Sequence, residues 1–452
     1  MKILYITNGF PPLRWAGTET YTASIAKEIT NLGASVQVLC CGDWQNGDIY
    51  CCGYDDDVYN GLPVRRIHLN WIKAPDPSKY LYNDPVIRKF LSQYLEEIQP
   101  DLVHVTSCET LSASVLVAVK EKRIPLVLSI TDFWFLCPRI NLLHSNGDNC
   151  DGITTPWDCL RCRLYGTKAY RWPRTFLPER AVEIFLTQIS KYPFFTRRRG
   201  LRGMAGDMAD RKKFLRHVFT LPNVRLTASE FVRNIHQAAG FDDPVQIHTY
   251  GHELSWLKHY QGKADSKKIR LGFVGQITPS KGVHILLTAV KHLDPDTQEK
   301  IQVLIYGNLQ KNPAYSERLQ TLSKGLNNIE FCGTYPREKS AEIYSKFDVL
   351  VVPSLWYDFP LVIYEAFATG TPVIATNLGG MAESVSDGVN GLLFERGNVI
   401  DLKSKIERLV REPNLLQSLT KGISKVKTIE QEGTELLELY KNLIEHNEEI
   451  HL

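Results

Sequence analysis

Short apolar runs alternate with longer amphipathic stretches along most of the chain. Ile3 to Thr7 is short and apolar, which predicts a buried strand. Gly17-Thr18-Glu19 then opens a stretch with Tyr21, Ile25, Ile29 and Leu32 at helical spacing, and Gly33 stops it. Val36 to Cys40, Val64 to Leu69, Leu102 to Thr106 and Leu126 to Ile130 predict further strands, with helices over Pro85 to Ile98 and Leu111 to Lys120. Leu226 to Ala228 and Val245 to Thr249 predict two more strands, around a helix capped by Ser229 and ended by Gly240. This alternation predicts a doubly wound parallel sheet. Residues 252–268 are polar and predict a linker. The pattern then restarts. Ile269 to Val274, Val303 to Tyr306, Asn328 to Phe331, Val349 to Val352 and Val373 to Ala375 predict strands. Leu436, Tyr440 and Leu443 line one face of the last helix.

Length agrees with two such domains, since 452 residues exceed one ordinary core. A net charge of +3 sets up no global field for nucleic acid, and no binding motif for it is present. No window holds 18 uninterrupted apolar residues, and the opening apolar segment is too short for a signal peptide. The expectation is a cytoplasmic protein whose ten cysteines are reduced unless they bind metal.

Candidate chemistry concentrates between Asp348 and Gly391. A strand, a loop, a helix opened by Phe359-Pro360, a second strand and the Gly379-Gly380 turn follow one another. Helix N-termini and glycine backbones at the carboxyl ends of parallel strands bind phosphorylated ligands. The Glu365 carboxylate, early in its helix, suits the two hydroxyls of a ribose.

The run from Trp356 through Phe359-Pro360, Glu365-Ala366-Phe367-Ala368 and Gly370 to Pro372-Val373-Ile374-Ala375-Thr376, followed by Gly379-Gly380, resembles the donor signature of glycosyltransferase family 4. These are retaining enzymes of the GT-B fold, an α/β architecture of two Rossmann-like doubly wound parallel-sheet domains facing a cleft. The resemblance implies an acceptor domain at 1–255 and a nucleotide-sugar donor domain at 266–430. The helix at 431–452 would pack back on the first domain. Glu365 would bind the ribose and Asp358 the donor sugar, although the family has two glutamates separated by seven residues and this chain has six between its acids. Gly275, Gln276 and Lys281 would face the diphosphate, with Gln276 standing where the family has arginine. Amides near Leu361, Gly379 and Gly380 would assist, and Gly333 would border the base. On the acceptor side the resemblance implies Gly17, Thr18 and Glu19, then Thr131, where relatives have histidine, and Asp132.

Cys137, Cys150, Cys159 and Cys162 follow as C-x12-C-x8-C-x2-C, within a Cys-rich insertion at about 133–165. Two residues between thiolates let both reach one ion, and four complete a tetrahedral site, so a structural zinc is the favoured reading. Redox thiols and unligated thiols are the alternatives. The segment at about 191–217 is basic and aromatic, which suits an anionic membrane surface or plain solvated helix faces. The resulting expectation is a retaining hexosyltransferase that needs no metal for catalysis. It would use a UDP- or GDP-sugar and a glycan or lipid-linked acceptor in cell-surface polysaccharide synthesis, peripheral to the inner membrane face. The competing expectation is a catalytically impaired scaffold on the same fold.

Overall fold

The apolar runs form strands buried on both faces, as parallel sheets require. The computed structural model describes residues 1–42, 47–144, 147–165, 175–190, 192, 201–357 and 361–451. The chain divides into two units, one of Met1–Tyr250 with Ile429–Leu452 and the other of Gly251–Thr428.

The first unit holds β1 (Lys2–Thr7), β2 (Ser35–Cys41), β3 (Cys51–Tyr59), β4 (Leu62–Leu69), β5 (Leu102–Val105), β6 (Leu126–Ser129), β7 (Val224–Thr227) and β8 (Gln246–Ile247). They form one sheet in the order β3-β4-β2-β1-β5-β6-β7-β8, parallel except for the β3–β4 pair. Ile3, Tyr5, Val36, Val38 and Leu102 of the sheet pack against Ile25 and Ile29 of the Gly17–Asn31 helix. Each such side chain contributes about 1.5–3 kcal/mol by leaving water.

Strand β3 was absent from the hydrophobic pattern because its centre is Asp55-Asp56-Asp57. The acids pair across the antiparallel ladder instead: Asp56 with Arg65, Asp57 with Arg66, and Asp55 with His68. An exposed edge strand built on charge also resists pairing with another chain.

The last helix, Ile429–His451, belongs to the first unit. Leu436 and Tyr440 are fully buried in its core. The Tyr440 hydroxyl lies 2.8 Å from the Tyr5 hydroxyl and 2.6 Å from His104 Nδ1, and His104 Nε2 lies 2.8 Å from Ser129 Oγ. Burial holds the His104 ring down to about 3, so it stays neutral and structural. Glu432, also fully buried, accepts from the Tyr21 hydroxyl at 2.7 Å.

The second unit holds β9 (Ile269–Val274), β10 (Ile301–Tyr306), β11 (Ile329–Gly333), β12 (Val349–Val352), β13 (Val373–Thr376) and β14 (Gly391–Phe394). All are parallel, in the order β11-β10-β9-β12-β13-β14. The polar stretch 252–268 is not a free linker. Trp256 is buried in this unit and stacks on Tyr344 at 5.7 Å between ring centroids. One aromatic anchor outweighs the polar residues around it.

Strand order reverses once in each unit, between β1 and β5 in the first and between β9 and β12 in the second. Open α/β sheets bind ligands beyond the carboxyl ends of the strands at that point.

Candidate functional site

In the second unit the loops after β9 and β12 emerge side by side at the reversal. Lys281 ends the short turn Pro279–Lys281 after β9, and its ammonium lies 5.7 Å from the centre of the Trp356 ring. Leu355 N donates to Ser280 O at 2.7 Å, which ties the two loops together. Gly282 has φ of +72°, and a Cβ there would lie 1.8 Å from Pro353 O. Only glycine permits this contact. Gly275, at φ of +156°, receives Gly307 against its carbonyl, and Gly307 N donates to Gly333 O at 2.8 Å. The glycines ending β9, β10 and β11 thus bring three backbones to one place. Gln276 is exposed, with an amide where a second cation would strengthen an anion site.

Glu365 sits in the helix Leu361–Ala368 and is only 8% exposed. Its Oε1 accepts from Arg337 at 3.1 Å and its Oε2 from the Tyr344 hydroxyl at 2.8 Å. Two lone-pair positions remain on the carboxylate for other donors. Arg337 also pairs with Glu253 at 3.1 Å, and the two acids keep its charge fixed. Sequence reasoning missed Arg337, which comes from the loop after β11. Gly379, at φ of +51°, lies against Tyr357, and Gly380 is buried in the first turn of Gly379–Ser384. Leu361 opens the Glu365 helix. Asp358, Phe359 and Pro360 lie outside the described residues.

In the first unit the loops after β1, β5 and β6 supply a second polar cluster. Asn8 Nδ2 donates to Glu19 Oε1 at 3.2 Å and to Glu109 Oε2 at 3.1 Å. Glu19 is 4% exposed, and its Oε2 is buried with no hydrogen-bond partner among the described residues. The loop after β5 is strained: Thr110 and Ser112 have φ of +63° and +61°, which non-glycine residues adopt at a cost of about 1–3 kcal/mol each. Thr110 Oγ1 offsets part of this by donating to Asn8 O at 3.1 Å. Arg66, buried beneath, donates to Phe10 O at 2.9 Å and Pro11 O at 2.6 Å and so fixes the loop after β1.

The Thr18 hydroxyl donates to Thr131 Oγ1 at 3.0 Å, so two positions expected on the acceptor side meet. Gly17 opens its helix and is exposed. Asp132 accepts from Trp134 N at 2.8 Å and from the Ser107 hydroxyl at 3.3 Å. Burial, aided by repulsion from Glu109 and Glu19, pushes its carboxyl up to about 7. Burial also raises Glu109. Asn8, Ser107 and Glu109 carried no recognisable motif.

The Asp132 shift has a sign that can be tested. The folded carboxyl holds its proton to a higher pH than the unfolded one, so the residue costs stability increasingly from pH 4 to 7. Replacing Asp132 with Asn, which keeps the acceptor for Trp134 N, should stabilise the protein by about 2 kcal/mol at pH 8 and by little at pH 4, after discounting for partial exposure. Urea unfolding at the two pH values measures this. A pH-independent difference would contradict it.

The four candidate cysteines line one pocket with Arg139, His144 and Asp158. Of the basic segment, residue 191 and residues 193–200 lie outside the described residues. Arg211, Lys212 and Arg216 in the helix Leu201–Phe219 donate to backbone carbonyls, while Lys213 and Arg216 are exposed. Among the described residues, no helix is long and apolar enough to cross a membrane.

Comparison with known proteins follows this geometry. Residues 255–426 match the family described as glycosyl transferases group 1, and residues 16–152 match a glycosyl transferase 4-like domain. A D-inositol 3-phosphate glycosyltransferase of Streptomyces bingchenggensis is 35% identical over 218 residues, covering 45% of this chain and 47% of that one. An uncharacterized glycosyltransferase of Methanocaldococcus jannaschii is 38% identical over 147 residues, covering 32% and 40%. The chain spans about half the length of the curated relatives it matches. Among solved structures, sucrose-phosphate synthase of Thermosynechococcus elongatus superposes with a TM-score of 0.65 at 16% identity, covering 99% of this chain and 100% of that one. Anabaena HepE in complex with UDP gives 0.62 at 17% identity, covering 98% and 100%. Starch synthase IV of Arabidopsis thaliana, bound to ADP and acarbose, gives 0.60 at 14%, covering 98% and 99%. At these identities the likeness is one of fold, and the fold is GT-B.

Proposed function

We propose, for a chain whose residues 255–426 match the glycosyl transferases group 1 family and whose residues 16–152 match a glycosyl transferase 4-like domain, that it moves a sugar from a nucleoside diphosphate donor to a hydroxyl of a glycan or lipid-linked saccharide. The observation that carries this reading is the junction of the β9 and β12 loops, where Lys281, Gly282 and the Trp356 loop meet at the sheet's point of reversal. A diphosphate bound there has the Lys281 charge and nearby backbone amides. That charge stabilises the leaving nucleotide as the bond to the sugar breaks. Glu365, held in place by Arg337 and Tyr344, takes the ribose. Asp358 remains the candidate for the donor sugar.

The acceptor reading rests on the first unit. Asn8, Glu19, Glu109 and Asp132 present an amide and three carboxyls in a partly buried group, and Glu19 Oε2 awaits a donor. That set matches a polyhydroxylated ligand better than an apolar one. With no histidine at Thr131, proton removal falls to the leaving phosphate on the donor's own face, and the sugar keeps its anomeric configuration. Polysaccharide synthesis at a membrane surface is the setting this chemistry suits.

Calorimetric titration with UDP, GDP and ADP, with Glu365→Ala alongside, tests the donor site. Micromolar binding of one nucleotide, lost in the variant, is expected and fixes the donor class. A folded protein that binds none of the three would favour the scaffold reading.

A further inference from the structure

The Cys-rich insertion is built from three local pieces. Cys137 and Cys150 each begin a tight turn in which the amide two residues on, Arg139 N or Gly152 N, donates to the cysteine sulfur at 3.4 Å. Gly152 takes φ of +75° to allow its turn. Between them Cys150 N donates to Leu142 O at 2.7 Å, and Leu143 and Asn149 form an antiparallel bridge. The third piece is the helix Pro156–Leu164, capped reciprocally by Thr155 and Asp158. It carries Cys159 and Cys162 one turn apart, so both sulfurs face the same side. All four cysteines line the same pocket.

The surroundings carry positive charge toward it. Arg211 is 6% exposed and donates to the carbonyls of Trp134 and Phe135. Among the described residues no carboxylate lies within ion-pairing distance of it. Cys137 and Cys159 lie close enough to interact with its charge. Arg139 adds a second guanidinium, whose Nη1 lies 3.5 Å from Cys162 Sγ. A buried guanidinium without a carboxylate is costly unless an anion accompanies it.

We propose that Cys137, Cys150, Cys159 and Cys162 bind one zinc ion, as a structural site that ties residues 137–144 to residues 147–162. Binding releases four thiol protons and leaves a centre of net charge −2, which Arg211 and Arg139 offset. The two turn amides donate to thiolate sulfurs, a stronger acceptor than the neutral thiol. No three histidine, cysteine or carboxylate side chains among the described residues are gathered closely enough to hold an ion as they stand. The thiols are instead held apart by separate bonds, Cys159 to Thr154 Oγ1 at 3.1 Å and Cys162 to Leu143 O at 3.8 Å. Metal binding at this site requires those two weak contacts to be given up so that the sulfurs converge.

The site is independent of the donor reading, and so is its test. The full chain, purified without chelator, should contain about one equivalent of zinc by mass spectrometry. Cobalt substitution should give the visible d–d and sulfur charge-transfer bands of a tetrahedral tetrathiolate. Cys159→Ser with Cys162→Ser should abolish both, while Cys332→Ser, far from the insertion in sequence, should keep them. A chelator strong enough to strip the metal should expose four thiols per chain to a thiol reagent. Metal-free protein that neither retains zinc nor develops the cobalt spectrum would overturn the proposal. So would a cysteine pair found as a disulfide, or an iron–sulfur chromophore.

Discussion

Alanine at Lys281 is expected to lower kcat/KM for sugar transfer by about two to three orders of magnitude, the usual effect of removing one preorganised group from developing charge. The loss should be large here because the neighbouring polar side chain of this loop carries no charge. That residue is Gln276, which is exposed. A single ammonium, set against the Trp356 ring and on a turn tied to the β12 loop, would then carry most of the charge compensation. The effect should fall mainly on kcat, because negative charge on the diphosphate grows as the sugar leaves. Binding of the free nucleoside diphosphate should weaken less than turnover does. Arginine at this position should recover part of the activity, since it keeps the charge with a different geometry. Transfer is followed by release of nucleoside diphosphate from the donor that the titrations identify. A Lys281→Ala enzyme within threefold of the wild type would remove Lys281 from the site.

The sheets were legible because parallel strands buried on both faces leave unbroken apolar runs, and the glycines after β9 and β13 mark where the backbone must turn sharply. The residues proposed for the donor lie around such turns, so a pattern could reveal them. The polar cluster proposed for the acceptor could not be read this way. Asn8 and Glu109 are far apart in the chain and meet only because β1 and β5 are neighbours in the sheet. Neither residue sits in a periodic or glycine-rich stretch. Arg337 was invisible for the same reason: it reaches Glu365 from another loop. Strand β3 escaped because its stability comes from ion pairs with Arg65, Arg66 and His68 and not from apolar alternation. The segment at 252–268 was misread because average polarity hid the one side chain, Trp256, that anchors it.

Gly282→Ala is expected to dismantle the donor loops, and the reason is steric. The added methyl would lie 1.8 Å from Pro353 O, and the obstacle is backbone at the end of β12, not a side chain that can swing away. Alanine must also hold φ of +72°, which by itself costs about 1–2 kcal/mol. Together these should destabilise the second unit by about 3–5 kcal/mol, at the upper end of single substitutions. Gly333→Ala separates the two causes. It has nearly the same φ, +73°, and nothing within 4 Å of its Cβ position, so only the conformational cost of about 1–2 kcal/mol should appear. Two units need not unfold together, so a local reporter is required. The Leu355 amide serves, because its bond to Ser280 O spans the two loops. Its hydrogen exchange should accelerate by orders of magnitude in Gly282→Ala and only modestly in Gly333→Ala, and nucleotide binding should be lost in the first. Equal, small changes in both variants would mean that Gly282 and Pro353 do not hold the β9 and β12 loops together, and the phosphate site assigned to their junction would fall with that contact.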